Sequence, residues 1–184
     1  MSNLQGQLLI AAPQLLDPNF LRTVVLMVQH SSEGALGLVL NRPTNATIKQ
    51  AWEQVRDTGC LRDDLLRWGG PCQGPLTALH VTSELSDIEV LSTSLFFCGE
   101  PDKLTTLVDE PTYQARFFVG YAGWGPGQLE SEMEQGGWLT TPAKAEHVFS
   151  EDADLWQHVL KQVAQGQLLS AIKVKHVPPD PSLN

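Results

Sequence analysis

Cysteine is scarce in this chain, and its three cysteines are poorly placed for cross-linking or metal binding. Cys60, Cys72 and Cys98 are odd in number, and none belongs to a Cys-x-x-Cys pair. Histidines and carboxylates with the spacing of metal ligands are missing as well. We therefore expect reduced thiols, no bound metal and a cytoplasmic protein, because disulfides belong to oxidising compartments.

Long apolar runs and a basic N-terminal segment are also absent. No uninterrupted apolar stretch approaches the roughly 20 residues that a membrane-spanning helix needs. The first basic residue is Arg22, and the first apolar run ends at Pro13. A signal peptide needs a basic start and a longer apolar segment, so the sequence predicts neither export nor membrane association.

Positive charge is rare in the segment from Glu100 to Asp154. Between Glu100 and Asp154 eleven acidic residues stand against Lys103, Arg116 and Lys144, a net charge of −8 out of −9 for the whole chain. An acidic surface repels the phosphate backbone, whose neutralisation dominates DNA affinity. We expect no direct nucleic-acid binding as the main role.

Nucleotide-binding motifs are missing too. The chain has no Gly-x-x-x-x-Gly-Lys loop, and its glycines do not form Gly-x-Gly-x-x-Gly between a strand and a helix. The sequence therefore predicts no cofactor.

Apolar residues, which are 42% of the chain, occur in short segments between glycines and prolines. The predicted strands are Gln7–Ala11 and residues 23–29, 35–40, 76–81, 88–91, 94–97 and 116–121. The predicted helices are one capped by Thr47 that runs to about Arg56, and residues 101–108, 128–135 and 154–165. Strands and helices do not alternate regularly, which favours an α+β fold. We expect one domain over residues 1–177 and a flexible tail over residues 178–184.

The most distinctive segment is residues 120–130, Gly-Tyr-Ala-Gly-Trp-Gly-Pro-Gly-Gln-Leu-Glu. Glycine permits positive φ and close backbone approach at an entropic cost. We expect a shaped turn here, between a strand and a helix. Tyr121, Trp124 and the later Trp138 either line a cleft or pack in the core beneath this turn.

Several motifs occur in an order that resembles the YqgE/AlgH family of bacterial proteins along almost the whole chain. They are Asp17-x-x-Phe20-x-Arg22-Thr23-Val24, His30-x-x-x-Gly34-Ala35-x-Gly37-Leu38-Val39-Leu40-Asn41-Arg42-Pro43, Gly69-Gly70-Pro71 followed by His80, and residues 120–130 with Trp138. The resemblance implies a bent mixed sheet that forms a pseudo-barrel flanked by helices. It implies no established reaction. The family name carries a proposed role in transcriptional regulation, for which this sequence shows no helix-turn-helix, and Cys72 stands where the family usually has an apolar residue.

The residues predicted to bind a ligand are Arg22, Asn41, Arg42, Trp124, Gln128 and Glu130. Pro43 favours an extended backbone at Arg42, whose guanidinium suits bidentate recognition of a carboxylate or phosphate. We expect Arg42 to approach Gln128 or Glu130, so that the hairpin end and the glycine segment form one site. The alternative is an internal ion pair of Arg42 with Asp17 or Glu130.

Two further pairs of residues admit both a chemical and a structural interpretation. Glu130 and Glu134 share a helix face and form either a carboxylate pair or a complement to the helix dipole, whereas Glu132 and Glu134 are expected in solvent. Cys72 and His80 form either a nucleophile pair or a small buried residue beside a structural histidine. No catalytic residue is assigned.

Three functions remain open. The favoured one is a binding or regulatory protein for a small anionic ligand. The second is an enzyme acting on a small anionic metabolite, with Glu130 as acid or base and Arg42 holding the charge. The third is a scaffold that binds a protein partner through its acidic face.

Overall fold

The computed structural model describes residues 3–54, 59–92, 94–151 and 154–173. In these ranges the strands are β1 (Gln7–Ala11), β2 (Val24–Ser31), β3 (Gly34–Val39), β4 (Pro43–Thr47), β5 (Leu65–Trp68), β6 (Cys72–His80), β7 (Ile88–Leu91), β8 (Leu95–Cys98), β9 (Ala115–Trp124) and β10 (Trp138–Pro142). The helices are α1 (Ile48–Trp52), α2 (Pro101–Asp109), α3 (Gln128–Glu134), α4 (Ala145–Phe149) and α5 (Leu155–Lys173), with a 3-10 turn at Ser83–Leu85. The tail of residues 178–184 lies outside the described residues, so its flexibility and the domain limits stay predictions.

The strands form one mixed sheet in the order β10-β1-β2-β3-β9-β6-β8-β7, to which β4 and β5 attach through β5 and β9. The pairing of β5 with β9 is parallel. The sheet curls, since the side-chain amide of Gln5 before β1 donates to the carbonyl oxygen of Glu89 on β7 at 2.8 Å. Strands β7 and β10 do not pair within the described residues, so the curl stays open. The predicted α+β fold with a bent mixed sheet flanked by helices is confirmed.

Strand β2 is buried on both faces, as its continuous apolar run predicts. Val24, Leu26 and Val28 belong to a core inside the curl, against α4 and α5, whereas Val25 and Met27 face a second core under α3. A third core lies beneath α1 and α2, on the other side of β6 and β9. Helices therefore cover both sides of the sheet.

The helix predicted after Thr47 forms but is shorter than expected. The Thr47 side chain accepts from the Gln50 N–H at 3.2 Å, and the Gln50 side chain accepts from the Thr47 N–H at 3.0 Å, which makes a capping box. Helix α1 ends at Trp52, and Arg56 lies outside the described residues. No helix in the described part of the chain is both long and apolar enough to cross a membrane.

The predicted strand over residues 116–121 forms, but the expectation of a turn directly after Tyr121 is wrong for residues 122–124. Strand β9 continues through them, because its end pairs with β3: Ala35 lies opposite Trp124, and Gly37 lies opposite Ala122. This pairing gives the backbone hydrogen-bond partners that a turn would leave to solvent. Only residues 125–127 make the turn before α3. Strands β4, β5 and β10 and helix α4 were not predicted, since they are short and three of them depend on pairing with distant segments.

The Gly69-Gly70 motif lies where the chain between β5 and β6 crosses β9. The Gly69 N–H donates to the Val119 carbonyl at 2.9 Å, and its own carbonyl accepts from the Val39 N–H at 2.8 Å. Gly70 has a φ of +156° and Gly120 a φ of +72°. A Cβ on Gly120 would stand 2.6 Å from the Cys72 carbonyl oxygen. The glycines of both motifs therefore serve close backbone contact.

Two buried histidines should make the protein less stable in mild acid. Burial lowers the pKa of His80 and of His147, and the Nε2 atom of each is buried without a partner among the described residues. The unfolded chain, with an ordinary histidine pKa near 6.5, then binds more protons than the folded one just below that pH. The stability that these two neutral histidines contribute is fully present above about pH 6.5. It is lost as the pH falls towards their lowered pKa values.

We expect the melting temperature to fall between about pH 7 and pH 5. His80→Asn keeps an acceptor for the Thr82 N–H, which His80 Nδ1 accepts at 3.3 Å. This variant should be less stable at neutral pH but show a shallower loss on acidification. Calorimetry measures the melting temperature of both proteins across this pH range. If it falls equally steeply with pH in wild type and in the variant, His80 does not contribute to the loss of stability in acid.

Candidate functional site

Asn41 and Arg42 hold the turn that precedes β2. The Asn41 side chain accepts from the Val24 N–H at 2.9 Å and donates to the Arg22 carbonyl at 2.9 Å. The Arg42 guanidinium donates to the carbonyl oxygens of Pro18 at 3.2 Å and Leu21 at 3.5 Å. These contacts connect the motif at residues 17–24 with the motif that ends at Pro43. Both motifs therefore stabilise the fold of this turn, in which Arg22 has a φ of +54°.

Trp124 and Gln128 surround Glu132, which is not the solvated residue that was expected. The indole N–H groups of Trp124 and Trp138 both donate to Glu132 Oε2, at 3.0 and 2.9 Å. The Gln128 amide donates to Glu132 Oε1 at 3.0 Å. Phe20 stacks on Trp124 and meets Trp138 edge-on. Both tryptophans are buried, so they pack in the core, while Glu132 satisfies their polar atoms.

Glu130 is held by His30. His30 Nδ1 accepts from the Leu4 N–H at 3.2 Å, which leaves the ring proton on Nε2, and Nε2 donates to Glu130 Oε1 at 3.0 Å. A cavity of about 610 Å³ adjoins this pair and also contacts Ser131 and Glu134. Both imidazole nitrogens are occupied, so His30 holds Glu130 in position.

The expectation that Arg42 reaches Gln128 or Glu130 is wrong. Strand β3 begins beside Trp124, and Arg42 follows its other end, roughly 20 Å away at about 3.3 Å per residue. The Arg42 guanidinium lies on the turn at Pro18, and Glu130 lies on His30. The structure thus brings Trp124 and Gln128 together around Glu132, and it brings Arg22, Asn41 and Arg42 together on the turn before β2. That any of these six residues binds a ligand stays a prediction.

Cys72 and His80 do not form a catalytic pair, since they are the two ends of β6. Eight residues of strand separate them by roughly 25 Å. The three cysteines are free thiols. Among the described residues, no three histidine, cysteine or acidic side chains are grouped so that they could hold a metal ion.

A cavity of about 470 Å³ lies between β5, the end of α4 and the segment before β9. Its cationic residues are Arg62, Arg67 and Arg116, and we call it the arginine cavity. All three side chains are more than nine-tenths buried. Buried arginines are rare unless they are paired, which makes this the most unusual concentration of charge in the described structure.

Strand pairing places these arginines. Arg67 lies in β5 opposite Phe118 of β9, two residues from Arg116. Arg62 precedes β5, and its guanidinium lies 5.2 Å from the centre of the Phe117 ring. The parallel contact of β5 with β9 therefore joins residues about fifty positions apart in the sequence.

Most donors of the three arginines have acceptors, but two buried ones do not within the described residues. Arg62 donates to Asp64 at 3.2 Å and to the Tyr113 carbonyl. Arg67 donates to Glu151 at 3.1 Å, and Arg116 donates to Glu151 as well. The Nε atoms of Arg62 and Arg67 are buried without a partner among the described residues. Unmet buried donors of this kind cost stability unless another group accepts from them.

Burial and mutual repulsion dominate the electrostatics of the arginine cavity. Burial lowers the pKa of Arg67, an effect that the nearby Glu151 carboxylate partly offsets. Burial and the positive charge of Arg67 lower the pKa of Arg116 to about 10. Both groups remain charged at neutral pH, so a negative group entering the cavity would relieve an existing cost.

Sequence reasoning did not select these residues, although a signal was present. Arg67 interrupts the run Leu65-Leu66-Arg67-Trp68, and Arg116 interrupts Ala115-Arg116-Phe117-Phe118. A single charge within an apolar strand is the local pattern that could have drawn attention to these two residues.

The chain matches known proteins over most of its length. The model of the DUF179, or AlgH-like, family matches residues 8–167. The chain belongs to this family. A UPF0301 protein of Chlorobaculum tepidum is 38% identical over 163 residues, which cover 85% of this chain and 84% of that protein. A UPF0301 protein of Myxococcus xanthus is 39% identical over 165 residues, covering 88% and 91%.

Solved structures share the AlgH-like fold. The solution structure of the AlgH protein from Pseudomonas aeruginosa superposes with a TM-score of 0.72 at 29% identity, covering 96% of each chain. A crystal structure of a protein from Corynebacterium diphtheriae has a TM-score of 0.67 at 24% identity, covering 85% of each chain, and this likeness concerns the fold alone. The resemblance to the YqgE/AlgH family is thereby confirmed.

Proposed function

We propose that this AlgH-like chain is a cytoplasmic protein that binds a small organic oxyanion, a carboxylate or a phosphate, in the arginine cavity. The observation that carries the proposal is the convergence of three guanidinium groups, those of Arg62, Arg67 and Arg116, on one cavity in which Arg67 and Arg116 share the carboxylate of Glu151. Guanidinium groups recognise carboxylates and phosphates in bidentate fashion.

The size of the cavity supports an organic ligand. A volume of about 470 Å³ lies in the range of sites for small organic molecules. Leu65, Tyr113 and Phe149 supply apolar walls next to the charged groups. The proposed ligand is an anion, as expected from the sequence, but it binds at different residues from the six predicted to bind one.

The proposal is tested by titrating the protein with benzoate and with orthophosphate. We expect a rise in melting temperature with at least one anion, because a ligand that binds only the folded state stabilises it. The ¹H–¹⁵N resonances of the Arg62 and Arg67 Nε groups should shift during the titration. Unchanged melting temperatures and unchanged Nε resonances with both anions at millimolar concentrations would refute the proposal.

Arg67→Met should weaken anion binding by about tenfold or more, since hydrogen bonds to charged groups are worth about 1.5–3 kcal/mol. The fold should survive, because methionine fills similar space and the Glu151 side chain, 78% exposed, can return its charge to water. Lys49→Met is the control, since Lys49 is exposed on α1. Equal affinities for both variants, measured by isothermal titration, would contradict the assignment.

A further inference from the structure

The Glu151 carboxylate has an unusual position, which bears on the proposed function. Glu151 Oε2 accepts from Arg67 Nη2 at 3.1 Å, and Glu151 Oε1 accepts from Arg116 Nη2. The two arginine side chains are 8% and 9% exposed, whereas the Glu151 side chain is 78% exposed. An exposed carboxylate therefore caps two buried cations from outside.

Each Glu151 oxygen serves a different arginine, which is the arrangement a ligand carboxylate would make. A carboxylate offers two coplanar oxygens, and two guanidinium groups facing one edge each take one of them. Arg62 has its own acid in Asp64, so Arg67 and Arg116 share the single charge of Glu151. The site keeps a net positive charge even with Glu151 in place.

The arginines have other contacts that do not depend on Glu151. Arg116 Nη1 donates to the carbonyls of Val148 at 2.6 Å and Ser150 at 2.8 Å, at the end of α4. Arg67 Nη1 donates to the Leu40 carbonyl at 3.2 Å. Both guanidinium groups would therefore stay in place if the Glu151 side chain rotated into solvent.

Building on the proposed function, we propose that Glu151 occupies, in the free protein, the position that the carboxylate of an organic acid takes on binding. The ligand displaces Glu151 from Arg67 and Arg116 and lays its apolar body against Tyr113 and Phe149. The ligand class is thus an aromatic or otherwise apolar carboxylic acid. Glu151 sets the affinity by competing for the same two arginines.

The test compares benzoate binding to wild type and to Glu151→Gln by isothermal titration. Removing the competing charge should raise the affinity about tenfold, as expected if the free protein holds the open state about a tenth of the time. Glu146→Gln is the matched control: Glu146 lies nearby on α4 and pairs only with exposed Lys144 at 3.1 Å among the ion pairs described. This control should bind benzoate as wild type does.

The thermal behaviour of Glu151→Gln gives a second readout. Without ligand the variant should melt below wild type, because two buried cations lose their acid, and benzoate should raise its melting temperature more than that of wild type. Glu151→Ala should behave in the same way, which excludes an effect of the new amide.

The possible outcomes separate this inference from the proposed function. If wild type and Glu151→Gln bind benzoate equally, Glu151 is a structural ion pair and only the displacement is wrong. If orthophosphate gains affinity in the variant while benzoate does not, the carboxylic acid assignment is overturned. If neither anion binds either protein, the proposed function fails together with this inference.

Discussion

Alanine in place of Gly70 should lower the free energy of unfolding by at least about 3 kcal/mol. The added Cβ would lie against the backbone nitrogen of Ala122 and the carbonyl carbon of Tyr121, closer than packed atoms approach. Neither atom can move without breaking the β3–β9 ladder, and the φ of +156° is itself unfavourable for alanine. Chemical denaturation with circular dichroism measures the loss.

Gly59→Ala is the control for this experiment. No heavy atom of the described residues lies within 4 Å of a Cβ built on Gly59, and its substitution should change stability by less than about 1 kcal/mol. A similar small effect at Gly70 would show that the crossing of β9 is looser than its backbone contacts indicate. If Gly59→Ala is expressed in soluble form and Gly70→Ala does not fold, the loss of stability at Gly70 is even larger than expected.

Glu132→Ala should destabilise the protein by about 2–4 kcal/mol, since it leaves two indole N–H groups without an acceptor at about 1–3 kcal/mol each. Both groups now donate to the same oxygen of Glu132, and both tryptophans are buried. Urea unfolding followed by tryptophan fluorescence reports on stability and on these residues together.

Two further variants separate the causes of the stability loss in Glu132→Ala. Glu132→Gln keeps a side-chain oxygen and should lose less than half as much, because it retains an acceptor for the indoles. Glu134→Ala changes an exposed carboxylate of the same helix and should stay within about 0.5 kcal/mol of wild type. A loss at Glu134 as large as that at Glu132 would assign the effect to helix α3 as a whole.

Most elements with a clear local pattern could be predicted from sequence. Strands β1 and β2 follow from continuous apolar runs, α1 from the Thr47 cap, and α3 from the segment after Gly127. Strand β10 could not be predicted in this way. It pairs with β1 at the other end of the chain, with Leu9 opposite Thr140, so its stability comes from a partner that no local window contains.

The arginine cavity was not predicted, for a related reason. Arg42 and Glu130 carry suitable chemical groups and stand in distinctive motifs, yet their hydrogen bonds serve the turn at Pro18 and the imidazole of His30. Motif chemistry does not reveal whether a group is already satisfied by the fold. Among the described residues, the buried guanidinium donors without a partner are on Arg62 and Arg67, in segments without a recognisable motif.

The sequence by itself determined the α+β class, the strands that alternate or run apolar, and membership of the AlgH-like family, because these depend on local pattern and on motif order. Tertiary structure decided the rest. It turned a glycine-rich segment into the end of β9, and it used Gly70 for a backbone crossing. It also buried Arg67 and Arg116 side by side. The pairing of β5 with β9 puts these two charges beside each other, and no local stretch of the sequence contains both strands.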